Sequence, residues 1–260
     1  MPFSSSDGGV YESKDDNEEC LLEVHMSRLM AYAESADVSL QREVAEKLAN
    51  EAIKVNRQTQ IVEVGGLKLL FPLTSSKDEE VRRLAAHALA NLSVNSRNQV
   101  RMAEGDGILK LISLLSSDSV QVQRQAAKAM ANVGVNAQNK AKIAKQGGIR
   151  PLVLLASSTT TSVAVEAIAA LANLAVDDNN EIRIIQERGL EPMIKAANSN
   201  NIELQAQAAR ALRNLSVNPN NRHHICQLGG QNTLAHLAKS NTQTIRQQAE
   251  RALANIGYPS

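Results

Sequence analysis

The chain has 260 residues, a formal net charge of +1 and 2% aromatic residues, with no tryptophan. So balanced a charge gives no global drive toward nucleic acid or an anionic membrane, so neither is expected as a partner. So few aromatics leave a core of Leu, Ile, Val and Ala, which suits closely packed helices.

Residues 1–19 are rich in Ser, Gly and acidic residues, among them Asp15, Asp16, Glu18 and Glu19, and are predicted to be a disordered acidic tail. The helical pattern starts near Cys20-Leu21-Leu22. From Asn50 onward an asparagine recurs at a fixed interval of 41 residues: Asn50, Asn91, Asn132, Asn173, Asn214 and Asn255. Gly66, Gly107, Gly148, Gly189 and Gly230 run in the same phase. A fixed period near 40 residues is the signature of a repeat solenoid, in which each unit buries its apolar face against its neighbours.

The unit at 138–177 shows the plan. Residues 139–145 predict a short first helix, Gly147-Gly148 a tight turn with positive φ available, and 149–156 a second helix with Pro151 in its first turn. A Ser/Thr-rich break follows, and 163–176 predict a long third helix. Counted back from each asparagine, ten positions before lie Val81, Val122, Val163, Leu204 and Ile245. Six before stands alanine, two before Leu or Met, and one after Leu, Val or Ile. Those steps mark one apolar helix face. The asparagines lie roughly 200° around the helix from the Leu column and point away from the core. Residues four and eight before each asparagine share its face.

The phrases ALANLSVN (88–95), AMANVGVN (129–136), ALANLAVD (170–177) and ALRNLSVN (211–218) resemble the third-helix signature of the armadillo repeat. VGGLKLL (64–70) and QGGIRPL (146–152) resemble that family's turn between first and second helices. The resemblance covers about 20–258 and implies an all-α fold: a right-handed α-solenoid of three-helix repeats. Five full repeats are expected at 56–95, 97–136, 138–177, 179–218 and 220–258, after a truncated capping unit at 20–54. Pro72 falls inside a second helix, where a kink is expected.

Armadillo third helices line a concave groove that holds extended peptides, and their asparagines bond the ligand backbone. Carried over, that role falls on Asn91, Asn132, Asn173 and Asn214; the alternative is that these amides bond their own helix or a neighbour's. Four before each asparagine stand Glu46, His87, Lys128, Ala169, Arg210 and Arg251; eight before stand Arg42, Arg83 and Arg124; Arg213 directly precedes Asn214. A groove basic at both ends, and small and neutral near Ala169, favours an acidic or phosphorylated extended segment. The alternative is ordinary solvated helix charge, and Glu166 and Asp177 would offset part of the field.

Asn95, Asn136, Asp177 and Asn218, with Asn98, Asn139, Asn180 and Asn221, are expected to cap and turn the chain into the next repeat. His223, His224 and Cys226 are better explained by the repeat columns than by a metal, with Cys226 in a column expected to be buried. No nucleotide-binding loop or catalytic constellation occurs, so no cofactor and no enzymatic activity are expected. Two distant cysteines and the absence of a signal peptide point to a reducing, cytoplasmic setting, possible also at the cytosolic face of an organelle. Met1-Pro2 lacks the glycine that an N-myristoyl anchor needs, so membrane attachment is expected only indirectly or through an N-terminal lipid anchor absent from this sequence. The expected function is a protein-binding scaffold, similar in plan to vacuolar and apicomplexan armadillo proteins that tether organelles to cytoskeletal machinery. The rival readings are an importin-α-like import adaptor, whose groove tryptophans are missing here, and a cargo or regulatory module of a larger protein such as an armadillo kinesin.

Overall fold

A computed structural model of the protein describes residues 28–257. The acidic tail, Cys20 and Tyr258-Pro259-Ser260 lie outside the described residues. A helical turn at 28–33 (α1) precedes α2 (Val38–Ala52), the third helix of the first unit. Three helices per repeat follow. They are α3 (Val55–Glu63), α4 (Gly66–Leu73) and α5 (Glu79–Leu92); then α6 (Ser96–Met102), α7 (Gly107–Leu115) and α8 (Val120–Val133). The third set is α9 (Ala137–Lys145), α10 (Ile149–Ala156) and α11 (Thr161–Leu174), and the fourth α12 (Asp178–Gln186), α13 (Leu190–Ala197) and α14 (Ile202–Leu215). The last set is α15 (Pro219–Gln227), α16 (Gly230–Leu237) and α17 (Gln243–Ile256).

The second helix of the 138–177 unit falls where the pattern places it, but its third helix lies two residues earlier than predicted, at Thr161–Leu174. Apolar periodicity locates a helix face better than its ends. Pro72 sits one residue before the end of α4, so the helix stops there and has no segment beyond the proline to kink.

The third helices α2, α5, α8, α11, α14 and α17 pack one on the next to form a continuous layer, and each second helix packs on the third helix of its own repeat. The apolar columns make the core. Val81, Val122, Val163 and Ile245, the alanines at 85, 126, 167, 208 and 249, and Leu89, Met130, Leu171 and Leu212 are all 0% exposed. Alanine three before each of five asparagines, at Ala88, Ala129, Ala170, Ala211 and Ala252, is also 0% exposed and lets neighbouring third helices meet without clashes, and stacking supplies the burial that no single unit can.

The glycine pairs divide two tasks. The first member carries the left-handed backbone: Gly65, Gly147 and Gly229 have φ of 94°, 86° and 78°. In the fourth repeat this position is Arg188 at φ 61°, a conformation that disfavours any residue with a Cβ. The second member starts the second helix, and there space sets the requirement. A Cβ on Gly148 would lie 2.7 Å from Ile143 Cγ2, and one on Gly189 2.6 Å from Ile184 Cγ2.

Asn95, Asn136, Asp177 and Asn218 cap the first helices as expected, each accepting from backbone N–H groups of the first turn. The second asparagine column does something else. Asn98 Nδ2 donates to Gln58 O and Leu92 O, both at 3.0 Å, and Asn139 Nδ2 donates to Gln99 O at 2.9 Å and Val133 O at 3.1 Å. Asn180 and Asn221 continue the series toward Lys140 O and Leu215 O, each at 3.1 Å. These amides are buried, and Asn98 and Asn139 each tie a first helix to the previous first helix and to the end of the previous third helix. They are staples between repeats, not caps. Asn139→Ala leaves two buried carbonyls unpaired and is expected to cost about 2–3 kcal/mol in chemical denaturation. Asn136→Ala removes only a half-buried cap and is expected to cost about 1 kcal/mol.

Candidate functional site

The asparagine column lies along the third-helix layer, on the face turned from the second helices. Its amides are engaged within the array. Asn132 Nδ2 donates to Ser93 Oγ at 3.0 Å, and Ser93 Oγ donates to Ala90 O at 2.7 Å. Asn255 uses Ser216 Oγ at 3.0 Å in the same way, and Ser216 passes the bond to Arg213 O at 2.8 Å. Asn173 and Asn214 reach Ala131 O and Ala172 O directly, each at 2.7 Å. One rule covers all four. The bond ends on the carbonyl just before the previous repeat's asparagine, and a serine two residues past that asparagine relays it. Where Gly134 or Ala175 replaces the serine, the amide makes the contact itself. The serine stands in the sequence, but only the stacking of repeats shows what it relays. A side-chain amide has two N–H groups and a carbonyl, so Asn91, Asn132 and Asn255 keep further bonding capacity, whereas Asn214, expected on the open face, is buried against the previous repeat and the Asn173 oxygen is taken by Arg210.

The charged positions divide into two groups. On α5, Arg83 is held by Glu80 at 2.7 Å, and Asn91 Nδ2 donates to His87 Nε2 at 3.2 Å, which places the ring proton on Nδ1. Burial pushes the His87 pKa down, and the positive charges of Arg83, Lys128 and Arg124 push it further the same way. On α8, Arg124 is exposed and Lys128 half-buried, and among the described residues neither has an ion-pair partner. Glu166 on α11 is half-buried; burial raises its pKa, against the pull of Lys128 and Arg124. Arg83, His87, Arg124, Lys128 and Glu166 therefore form one electrostatic cluster across three successive third helices.

The second group is structural. Arg210 crosses from α14 to α11, where Nη1 donates to Asn173 Oδ1 at 2.9 Å and Nη2 to Ala169 O at 3.2 Å. It closes the gap that the small Ala169 leaves, so the surface there is bridged by a guanidinium and not empty. Burial, with Arg213 close by, lowers the Arg210 pKa. Arg213 is half-buried, in a column otherwise held by Ala90, Ala131 and Ala172, and the Nε atoms of both arginines are buried without a partner. Arg251 is exposed on α17. Arg42, at the other end, is paired with Asp78 between α2 and α5, 3.0 Å from Nε, so the free positive charge centres on α8.

Asp177 serves as the α12 cap. Cys226 is half-buried, where its column suggested burial. Among the described residues no group of three His, Cys, Asp or Glu side chains is placed to hold a metal ion, and no helix is long and apolar enough to cross a membrane.

The Armadillo/beta-catenin-like repeat family model matches residues 136–176 and 177–217. No curated protein matches the chain. A crystal structure of an engineered protein superposes with a TM-score of 0.84 at 34% identity, covering 89% of this chain and 96% of that one. A designed armadillo repeat protein superposes at 0.83 with 25% identity, covering 88% and 99%. A second designed armadillo repeat protein, solved in complex with the peptide (KR)4, superposes at 0.81 with 24% identity, covering 88% and 98%. The unbroken period, three helices per unit, a stacked third-helix layer and these matches together make this chain a member of the armadillo-repeat family.

Proposed function

We propose that this armadillo scaffold binds an extended acidic or phosphorylated segment of a protein partner along its third-helix face, centred on α8. The observation that carries this is the pair Arg124 and Lys128, cations without an ion-pair partner among the described residues, flanked by Asn91 and Asn132 at the spacing of a stacked helix layer. Charge at this position steers and orients an anionic segment, while the spare capacity of the asparagines bonds its backbone. A related designed armadillo protein holds an alternating Lys-Arg peptide. In this chain the free charge of the same layer is positive, which supports the opposite ligand charge. A tethering role at the cytosolic face of an organelle is consistent with such a scaffold.

The groups around α8 also set a pH dependence. A bound anion raises the depressed His87 pKa, so binding takes up a proton and tightens as pH falls through that window. Glu166 opposes an anion while ionised and stops doing so as pH falls through its raised pKa. Both effects have the same sign. Glu166→Gln is expected to tighten binding of an acidic peptide about threefold at neutral pH and to flatten the acid limb of the profile. Fluorescence anisotropy titrations from mildly acidic to mildly alkaline buffer measure this; unchanged affinity would remove Glu166 from the site.

The partner itself is reached by a comparative pull-down with mass spectrometry, setting the wild-type chain against a folded Arg124→Glu, Lys128→Glu variant. Proteins retained by the first and lost by the second are expected to carry acidic or phosphorylated extended segments. An identical partner list would place binding on another surface.

A further inference from the structure

Three residues past Asn50, Asn91, Asn132, Asn173 and Asn214, where a third helix turns into the next first helix, stand Ile53, Val94, Val135, Val176 and Val217. All five are exposed, at 57%, 59%, 56%, 63% and 60%. The residue before each is buried, and Asn95, Asn136, Asp177 and Asn218, which follow the four valines, are helix caps. A lone exposed valine needs no explanation. Five at one register form an apolar line along one edge of the array, one per repeat, at the ~8–10 Å spacing of packed helices. Neither the core nor the caps require them.

We propose that this edge is a self-association surface, on which a second copy of the chain docks antiparallel across a two-fold axis at Val135. A partner that covers the whole line must present apolar groups at the same spacing, and a second copy does so necessarily. Charge selects the register. Arg97 follows Val94 and Asp178 follows Val176; both are exposed, and among the described residues neither has an ion-pair partner. With the axis at Val135, Val94 meets Val176 and each Arg97 faces the other copy's Asp178. An axis at Val94 would oppose two copies of Arg97, and one at Val176 two copies of Asp178. An axis between Val135 and Val176 sets Asp178 against the Val135 turn, where Lys140 bonds Val135 O, but sets Arg97 against the Val217 turn, where Arg222 bonds Val217 O at 3.0 Å, so a like pair offsets the opposite one. An axis between Val94 and Val135 sets Asp178 against Lys54, which Glu51 already holds at 2.6 Å. The Val135 turn itself is neutral, with Asn136, Ala137 and Gln138. Lys140, bonded to Val135 O at 2.9 Å, nears its own counterpart at the axis, and at each end Lys54, already held by Glu51, meets the turn where Arg222 bonds Val217 O. Five half-exposed side chains fall short of the ~800 Å² per partner of a stable interface, so the dimer is weak and concentration-dependent.

Sedimentation velocity of the whole chain, from low micromolar to several hundred micromolar, tests this independently of the peptide-binding reading. The sedimentation coefficient is expected to rise toward a dimer with concentration. Val135→Asp, which sets two charges against each other on the axis, is expected to abolish that rise. Arg97→Asp and Asp178→Arg are each expected to weaken dimerisation severalfold, and the double exchange to restore it. All three positions are exposed turn or first-turn residues, and thermal melts confirm that the variants fold. A chain that stays monomeric at the highest concentration overturns the proposal. So does a dimer indifferent to Val135→Asp, or a double exchange no better than its single components.

Discussion

Adding one methyl group at Gly107 is expected to destabilise the protein by about 3 kcal/mol. Gly107 opens α7 with ordinary helical φ, so conformational freedom is not the reason for glycine there. A Cβ would lie 2.1 Å from Met102 O and 2.7 Å from Phe71 Cζ. The first contact is with backbone, which no rotamer change relieves, and the second presses on the previous repeat. Gly147→Ala is the control. It sits at φ 86° with no atom within 4 Å of the new Cβ, so it carries only the left-handed penalty of about 1–2 kcal/mol. Urea denaturation of the two variants separates the causes; equal losses would mean that close packing is not what the second glycine serves. Because repeats contact only their neighbours, the Gly107 defect is expected to raise amide exchange in α6–α8 while α14–α17 keep their protection.

Reversing Arg124 and Lys128 together to glutamate is expected to reduce binding of an acidic segment on the order of 100-fold, with a modest loss of stability because the new carboxylates lie near half-buried Glu166. Both side chains lack ion-pair partners among the described residues, so reversing them breaks no described ion pair. The outcome differs elsewhere on the same face. Arg83→Glu places a second carboxylate beside Glu80, and Arg210→Glu removes two hydrogen bonds to α11. Those variants are expected to lose stability first, so lost binding in them would report folding. The choice of Arg124 and Lys128 therefore rests on what the charges touch, which spacing alone does not reveal.

The repeat was legible because its period is unbroken and its apolar columns step four, four and three along one helix face. Helix directions followed from that, and so did the side on which the asparagines lie. What the asparagines bond was not legible, since the acceptor is a carbonyl of the previous repeat about 40 residues away. Only stacking brings Ala131 O to Asn173 and Gln99 O to Asn139. The charged positions were located correctly on their helices, but their availability depended on cross-repeat partners. Asp78 takes Arg42, Asn173 and Ala169 take Arg210, and Arg124 and Lys128 keep their charge free. Arg188 carried no warning of its φ of 61°; only alignment with Gly147 and Gly229 marks its position as a glycine site.

The most direct test of an anion-binding third-helix face uses two labelled octapeptides, one of glutamate and one of alternating lysine and arginine, titrated by fluorescence anisotropy at low and moderate salt. The glutamate peptide is expected to bind the wild-type chain, to weaken with salt, and to be lost in the Arg124→Glu, Lys128→Glu variant. Preference for the lysine-arginine peptide, or glutamate binding that the double reversal leaves intact, would contradict the account.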